Sequence, residues 1–238
     1  MAPPNFHNVG GPNGLQYSDK TLQLITPPAP KAIACSTLQG LVDLYEANID
    51  DAKKDGDVLV QITSPTSVEL FSRESDKYGR RRVWAEADCP KVDGFPFGSF
   101  LNPENFIIMA QQYFQRVKVE KDDGTFAKDL DYVFSMASKI TGGQTVEHED
   151  DGITQRVAVK QGVALKTEQN LRPIVNLAPY RTFAEIDQVL STFVFRARVQ
   201  GEAVQLALFE GDGGRWKINA ISAIKAWLES KVDLTIIS

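Results

Sequence analysis

Arg80, Arg81 and Arg82 stand in a row, with Tyr78 and Trp84 close by. Guanidinium groups pair with phosphate oxygens, and aromatic faces stack bases, so this cluster could bind nucleic acid or a nucleotide. On a strand, however, the two-residue period sends Arg80 and Arg82 to one face and Arg81 to the other. A solvated hairpin end fits the same residues. The second candidate is the corner Gly211-Asp212-Gly213-Gly214, followed by Arg215 and Lys217. Backbone N–H groups at a helix start attract anions, and glycines at Gly211, Gly213 and Gly214 would let a phosphate approach. The spacing matches neither a Walker A loop nor a dinucleotide fingerprint. A plain strand-to-helix turn needing positive φ explains the glycines equally well.

Other reactive types are thinly placed. Glu147-His148-Glu149-Asp150-Asp151 mixes metal-ligand types, but strand alternation separates His148 from Glu147 and Glu149, and the only other histidine is His7. An acidic hairpin tip accounts for the run. Cys35 or Cys89 could meet His148 in space, yet no motif frames either thiol. There is no G-x-S-x-G, H-E-x-x-H or C-x-x-C. The 31 acids leave many carboxylate pairs, and no spacing rule selects one. We therefore expect no catalytic residue, no metal and no cofactor. Trp216, Trp227 and Phe114 read as core.

The elements that must position these residues are clearest at residues 192–231. Phe193, Phe195, Ala197 and Val199 share one strand face, and Val194, Arg196 and Arg198 the other. Gln200-Gly201 turns the chain, and Val204, Leu206 and Leu208 repeat the alternation. Ile218, Ile221, Ile224 and Leu228 then follow helical spacing. Upstream, Ser36 caps a helix carrying Leu38, Leu41, Val42, Tyr45 and Ile49. Turns at Asp55-Gly56, Ser64-Pro65 and Tyr78-Gly79 bound strands around Val58–Ile62, Val68–Leu70 and 81–87, an antiparallel meander. Asn102-Pro103-Glu104 starts a helix running to about Val117. Another helix spans 128–140, ended by Gly142-Gly143, and strands at 144–149 and 153–160 flank an Asp150-Asp151-Gly152 hairpin turn. A strand follows at 174–177, and Thr182-Phe183-Ala184-Glu185 fits a capping box that would open a short helix.

The expected class is α+β with mostly antiparallel sheets. An N-terminal three-stranded meander has flanking helices, and a larger C-terminal sheet is backed by the C-terminal helix. Residues 1–35, with Gly10, Gly11, Pro12 and Gly14 and then Pro27, Pro28 and Pro30, read as an extended arm in which Leu22, Leu24 and Ile25 could form a short strand. The expected organisation is arm 1–35, subdomain 36–121 and subdomain 122–238.

The net charge of −5 over 238 residues argues against coating nucleic acid through bulk charge, though not against a local basic site. Two cysteines suit a reducing compartment. Met1-Ala2-Pro3-Pro4-Asn5 lacks the basic start and apolar core of a signal peptide. No run reaches the ~18 apolar residues of a membrane helix. These point to a cytoplasmic protein with no membrane partner.

Four strings carry a family likeness: Asp151 to Gly162, Leu177 to Phe183, Phe193 to Arg196, and Ala207 to Trp216. They resemble the YfdQ-like proteins of tailed phages and prophages. The similarity runs from about Leu38 to Val232, is strongest after Asp129, and leaves the arm outside. The resemblance implies a phage-encoded protein acting in the cytoplasm of the bacterial host, and it implies no catalytic residue. Together with the proline-stiffened arm, which could exchange between copies, the expectation is a non-enzymatic homo-oligomer, a ring or closed shell. The alternative is a nucleic-acid or nucleotide binder in replication, recombination or counter-defence. A third is an enzyme of unknown class.

Overall fold

The computed structural model describes residues 15–18, 21–24, 28–53, 58–90, 94–117, 119–120, 126–127, 129–141, 145–150, 155–161, 164–200 and 203–238. The turns expected at Asp55-Gly56, Gly142-Gly143 and Asp151-Gly152, and most of the arm, lie outside them. Within the arm, β1 (Leu15–Ser18) and β2 (Thr21–Leu24) pair as a hairpin, so the strand expected at Leu22 and Leu24 is present. Next come β3 (Ile33–Cys35), α1 (Leu38–Glu46) and a 3-10 turn (Ile49–Asp51). The meander is β4 (Val58–Ser64), β5 (Ser67–Ser75) and β6 (Arg81–Asp88). It is followed by α2 (Pro103–Tyr113), β7 (Phe114–Gln115), β8 (Val119–Glu120), β9 (Phe126–Ala127) and α3 (Asp129–Thr141). Then come β10 (Thr145–Asp150), β11 (Gln155–Gln161), β12 (Ala164–Leu171), β13 (Ile174–Pro179), β14 (Ser191–Gln200) and β15 (Ala203–Glu210). The chain closes with α4 (Arg215–Glu229) and β16 (Thr235–Ile237).

The expected α+β class is what forms. The meander is the centre of a five-stranded sheet ordered β16-β4-β5-β6-β3, with antiparallel inner pairs and a parallel strand on each edge. A four-stranded antiparallel sheet runs β15-β14-β13-β7, and β10-β11-β12 forms a third. Among the described residues no helix is long and apolar enough to cross a membrane.

Each main sheet has its own core. Leu38, Leu41 and Val42 recur on one face of α1 and are buried with Val60, Leu70 and Ala85 of the first sheet. Ile224 and Leu228, four residues apart on α4, join that same core, and α4 packs against β4. The last helix therefore covers the five-stranded sheet, not the four-stranded sheet that precedes it in sequence. Ile218, expected in the core, is 68% exposed as a result. The second core fills from α2, α3 and the four-stranded sheet, with Phe95, Phe106, Phe114, Phe193 and Phe195 in edge-on or tilted contacts. Fully burying one such side chain stabilises by about 1.5–3 kcal/mol. The alternation expected in β14 is met, with Phe193, Phe195 and Ala197 buried; Val199 at its end is exposed.

Local chemistry sets several boundaries. The α1 cap is Thr37 rather than Ser36: its hydroxyl accepts from Gly40 N at 3.0 Å. Asn102 caps α2 as expected, accepting from Asn105 N at 2.8 Å. That helix stops at Tyr113 because Phe114 turns extended to pair with Pro179. No helix follows Thr182. Its hydroxyl instead donates to Pro65 O at 2.6 Å, and the Glu185 carboxylate accepts from Gln39 N at 3.2 Å. At the start of α3, buried Asp129 accepts from Asn176 N at 2.8 Å and pairs with Arg172, whose guanidinium lies 3.7 Å from the Tyr132 ring centre.

Candidate functional site

The β5–β6 connection is built by one acid. Asp76 accepts from the backbone N–H of Tyr78 at 2.8 Å and of Arg80 at 2.9 Å, and its other oxygen takes Nε and Nη2 of Arg80 at 3.0 and 2.8 Å. Gly79, at φ 76°, supplies the left-handed residue this turn needs. The Asp76 carboxyl is held below the ordinary carboxylate range, chiefly by the Arg80 N–H and then by the Arg80 side chain.

Beyond the turn the ladder is irregular. Leu70 pairs with Ala85 and Phe71 with Val83, so Trp84 is an extra residue on β6; between Phe71 and Ser75 the extra residues are on β5. The slack turns Ser72 towards its partner strand, where its hydroxyl accepts from Arg82 N at 2.9 Å and its carbonyl from Arg81 Nη1 at 3.3 Å. The result departs from simple alternation. Arg80, Arg81 and Arg82 all line one cavity of about 500 Å³ with Trp84, Ser72, Glu74, Ser75 and Asp76. Ala29 and Pro30, where the arm enters β3, form another part of its wall.

The three arginines are held differently. Arg80 is fixed by Asp76 and lies over Tyr78, 5.1 Å from the ring centre. Exposed Arg81 reaches the Ser72 carbonyl. Arg82 lies over Trp84 at 5.5 Å and pairs through Nη2 with Asp50. Two donors of these residues, Arg82 Nε–H and Trp84 Nε1–H, are shut off from solvent and find no acceptor among the described residues. Trp84 is only 3% exposed. A buried N–H without a partner costs about 1–3 kcal/mol. Asp50 is delivered by a loop in which Asn48, Asp50 and Asp51 have φ of 54°, 47° and 60°. Asn and Asp are the residue types that adopt this left-handed backbone readily.

The glycine corner is a separate place. Gly213 and Gly214 have φ of 63° and 82°, as a turn requires. The amides that would cradle an anion are committed: Gly214 N and Trp216 N donate to the Asp212 carboxylate at 2.9 and 3.3 Å, and Arg215 N to its carbonyl at 3.2 Å. Lys217 N donates to Gly214 O at 3.0 Å. The Asp212 carboxylate thus already occupies the α4 N-terminus, where Gly211, Gly213, Gly214, Arg215 and Lys217 were expected to receive a phosphate. Beside it, Arg181 lies 4.2 Å from the Trp216 ring centre and bonds Glu210 and Ser191. Burial pulls its pKa down, opposed by Glu210 and Asp212.

Glu147, His148 and Glu149 lie in β10, facing Ala158, Val157 and Arg156 in register; their side chains and Asp151 lie outside what is described. Among the described residues no three His, Cys, Asp or Glu side chains group as a cation site. Cys35 and Cys89 are free thiols, and burial raises the pKa of both, which keeps them protonated rather than nucleophilic.

Sequence reasoning missed Asp50, Ala29 and Pro30 at the arginine cavity. The one available signal was the Asn48-Ile49-Asp50-Asp51 string, rich in the residues that tolerate left-handed backbone. Compared with protein-family models, with curated proteins and with solved structures, the chain matches none.

Proposed function

We propose that this is a binding protein whose arginine cavity takes a phosphate-bearing ligand with an aromatic ring: a nucleotide, or a stretch of single-stranded nucleic acid. The observation that carries this is the convergence of Arg80, Arg81, Arg82 and Trp84 on one cavity. Arg81 supplies a water-exposed charge and a planar stacking face. A volume of about 500 Å³ suits one nucleotide-sized ligand. The likeness to YfdQ-like proteins supports a phage-encoded role in the cytoplasm of the bacterial host. ATP titrated by calorimetry and fluorescein-labelled oligothymidylate followed by anisotropy are the probes. Binding of at least one, weakened about tenfold by Arg81→Ala or Arg82→Ala and falling with salt, is the expected result. Binding that ignores these substitutions, or no binding of either probe, overturns the proposal.

A second reading, self-association, is favoured by the outer edges of β3 and β16, which terminate the five-stranded sheet. Light scattering after gel filtration, with absorbance at two wavelengths to detect nucleic acid, tests it. A monomer at micromolar concentration rules it out.

A further inference from the structure

We propose that Asp50 is a built-in competitor for the arginine cavity: its carboxylate holds the Arg82 guanidinium that an incoming phosphate needs. This rests on the ligand-binding reading of the cavity. Arg80 and Arg82 are both paired to acids, but by different means. The Asp76 partner of Arg80 is four residues away, takes two guanidinium nitrogens, and is itself locked by two backbone N–H groups. The Asp50 partner of Arg82 comes from 32 residues away and bonds through one nitrogen, and its side chain is 63% exposed. Arg80 is the fixed wall and Arg82 the movable one.

Arg82 is already divided between two demands. Its Nη2 faces Asp50, while its Nε–H and the neighbouring Trp84 Nε1–H are buried without acceptors. A phosphate in the cavity, which Arg82 lines, would draw the guanidinium charge from Asp50. The left-handed backbone at Asn48, Asp50 and Asp51 delivers the carboxylate to Arg82, and the loop is held by its own bonds from Lys53 N and Asp51 N to Asn48. An acid held there is then a threshold: weakly charged ligands lose to Asp50, and phosphates win.

The test compares wild type, Asp50→Asn, Asp50→Gly and Asp51→Asn, using ATP and labelled oligothymidylate as probes. Asp50→Gly removes the carboxylate and suits the backbone at φ 47°. It keeps the test sound if the asparagine variant folds poorly. Asp51→Asn removes the same charge one residue away. Both Asp50 variants are expected to bind about three- to fivefold more tightly, with Asp51→Asn little changed. Equal tightening by Asp50→Asn and Asp51→Asn would mean bulk charge alone and would overturn the competitor. Unchanged Asp50 variants, with Arg82→Ala still weakening binding about tenfold, would overturn it while sparing the binding reading. No binding of either probe to wild type or to any Asp50 variant would overturn both.

Discussion

The Gln155 carboxamide closes on both backbone groups of Ala197: Ala197 N donates to Oε1 at 2.8 Å, and Nε2 donates to Ala197 O at 3.0 Å. One side chain thus substitutes for a neighbouring strand where β13, which pairs β14 from Ser191 to Val194, has run out. It also ties the three-stranded sheet to the four-stranded one. Gln155 is buried, at 3% exposure.

Replacing Gln155 with Leu would leave two backbone groups of Ala197 without partners. The expected loss is about 2–3 kcal/mol, read from the urea midpoint at unchanged slope. A loss under roughly 0.5 kcal/mol would show that water replaces the carboxamide.

The Asp212 carboxylate caps α4 through Gly214 N and Trp216 N. Asp212→Ala is expected to lower stability by about 1 kcal/mol, and Asp212→Asn by less, in thermal unfolding. If phosphate protected the alanine variant more than wild type, the vacated amides would be acting as an anion site after all.

Asp76 gives the arginine turn a dependence on pH. Its carboxyl titrates below the ordinary range, so the turn's stabilisation is present above that range and is lost as pH falls through the depressed value. The Tyr78 and Arg80 amide resonances should move together with that low midpoint. Asp76→Asn should abolish the movement. A midpoint within the ordinary range would contradict the hydrogen-bonded turn.

What was legible in the sequence was local. The period of β14 and β15, the Asn102-Pro103 start of α2, and the β4-β5-β6 meander each depend on neighbours a few residues away. What was illegible depended on distant partners. Thr182 and Glu185 have the spacing of a capping box, but Pro65 and Gln39 take them first. Ile218 fits the apolar spacing of α4, but the helix faces the first sheet, and the residues it buries there are Ile224 and Leu228. The arginine cluster was visible as composition. Its convergence was not, because Arg80 belongs to the turn before β6 and the β5–β6 ladder is irregular beside it.

The placement of α4 and β16 on the first sheet bears on how the chain is made. A ribosome releases Val58 and Val60 long before Ile224, Leu228 and Ile236, their partners in one core. Until the last residues emerge, β4 lacks both its parallel neighbour and its helical cover. The second core, whose buried members span Phe95 to Leu208, is fully synthesised earlier. Folding during translation therefore runs inside out: the half begun first is the half finished last.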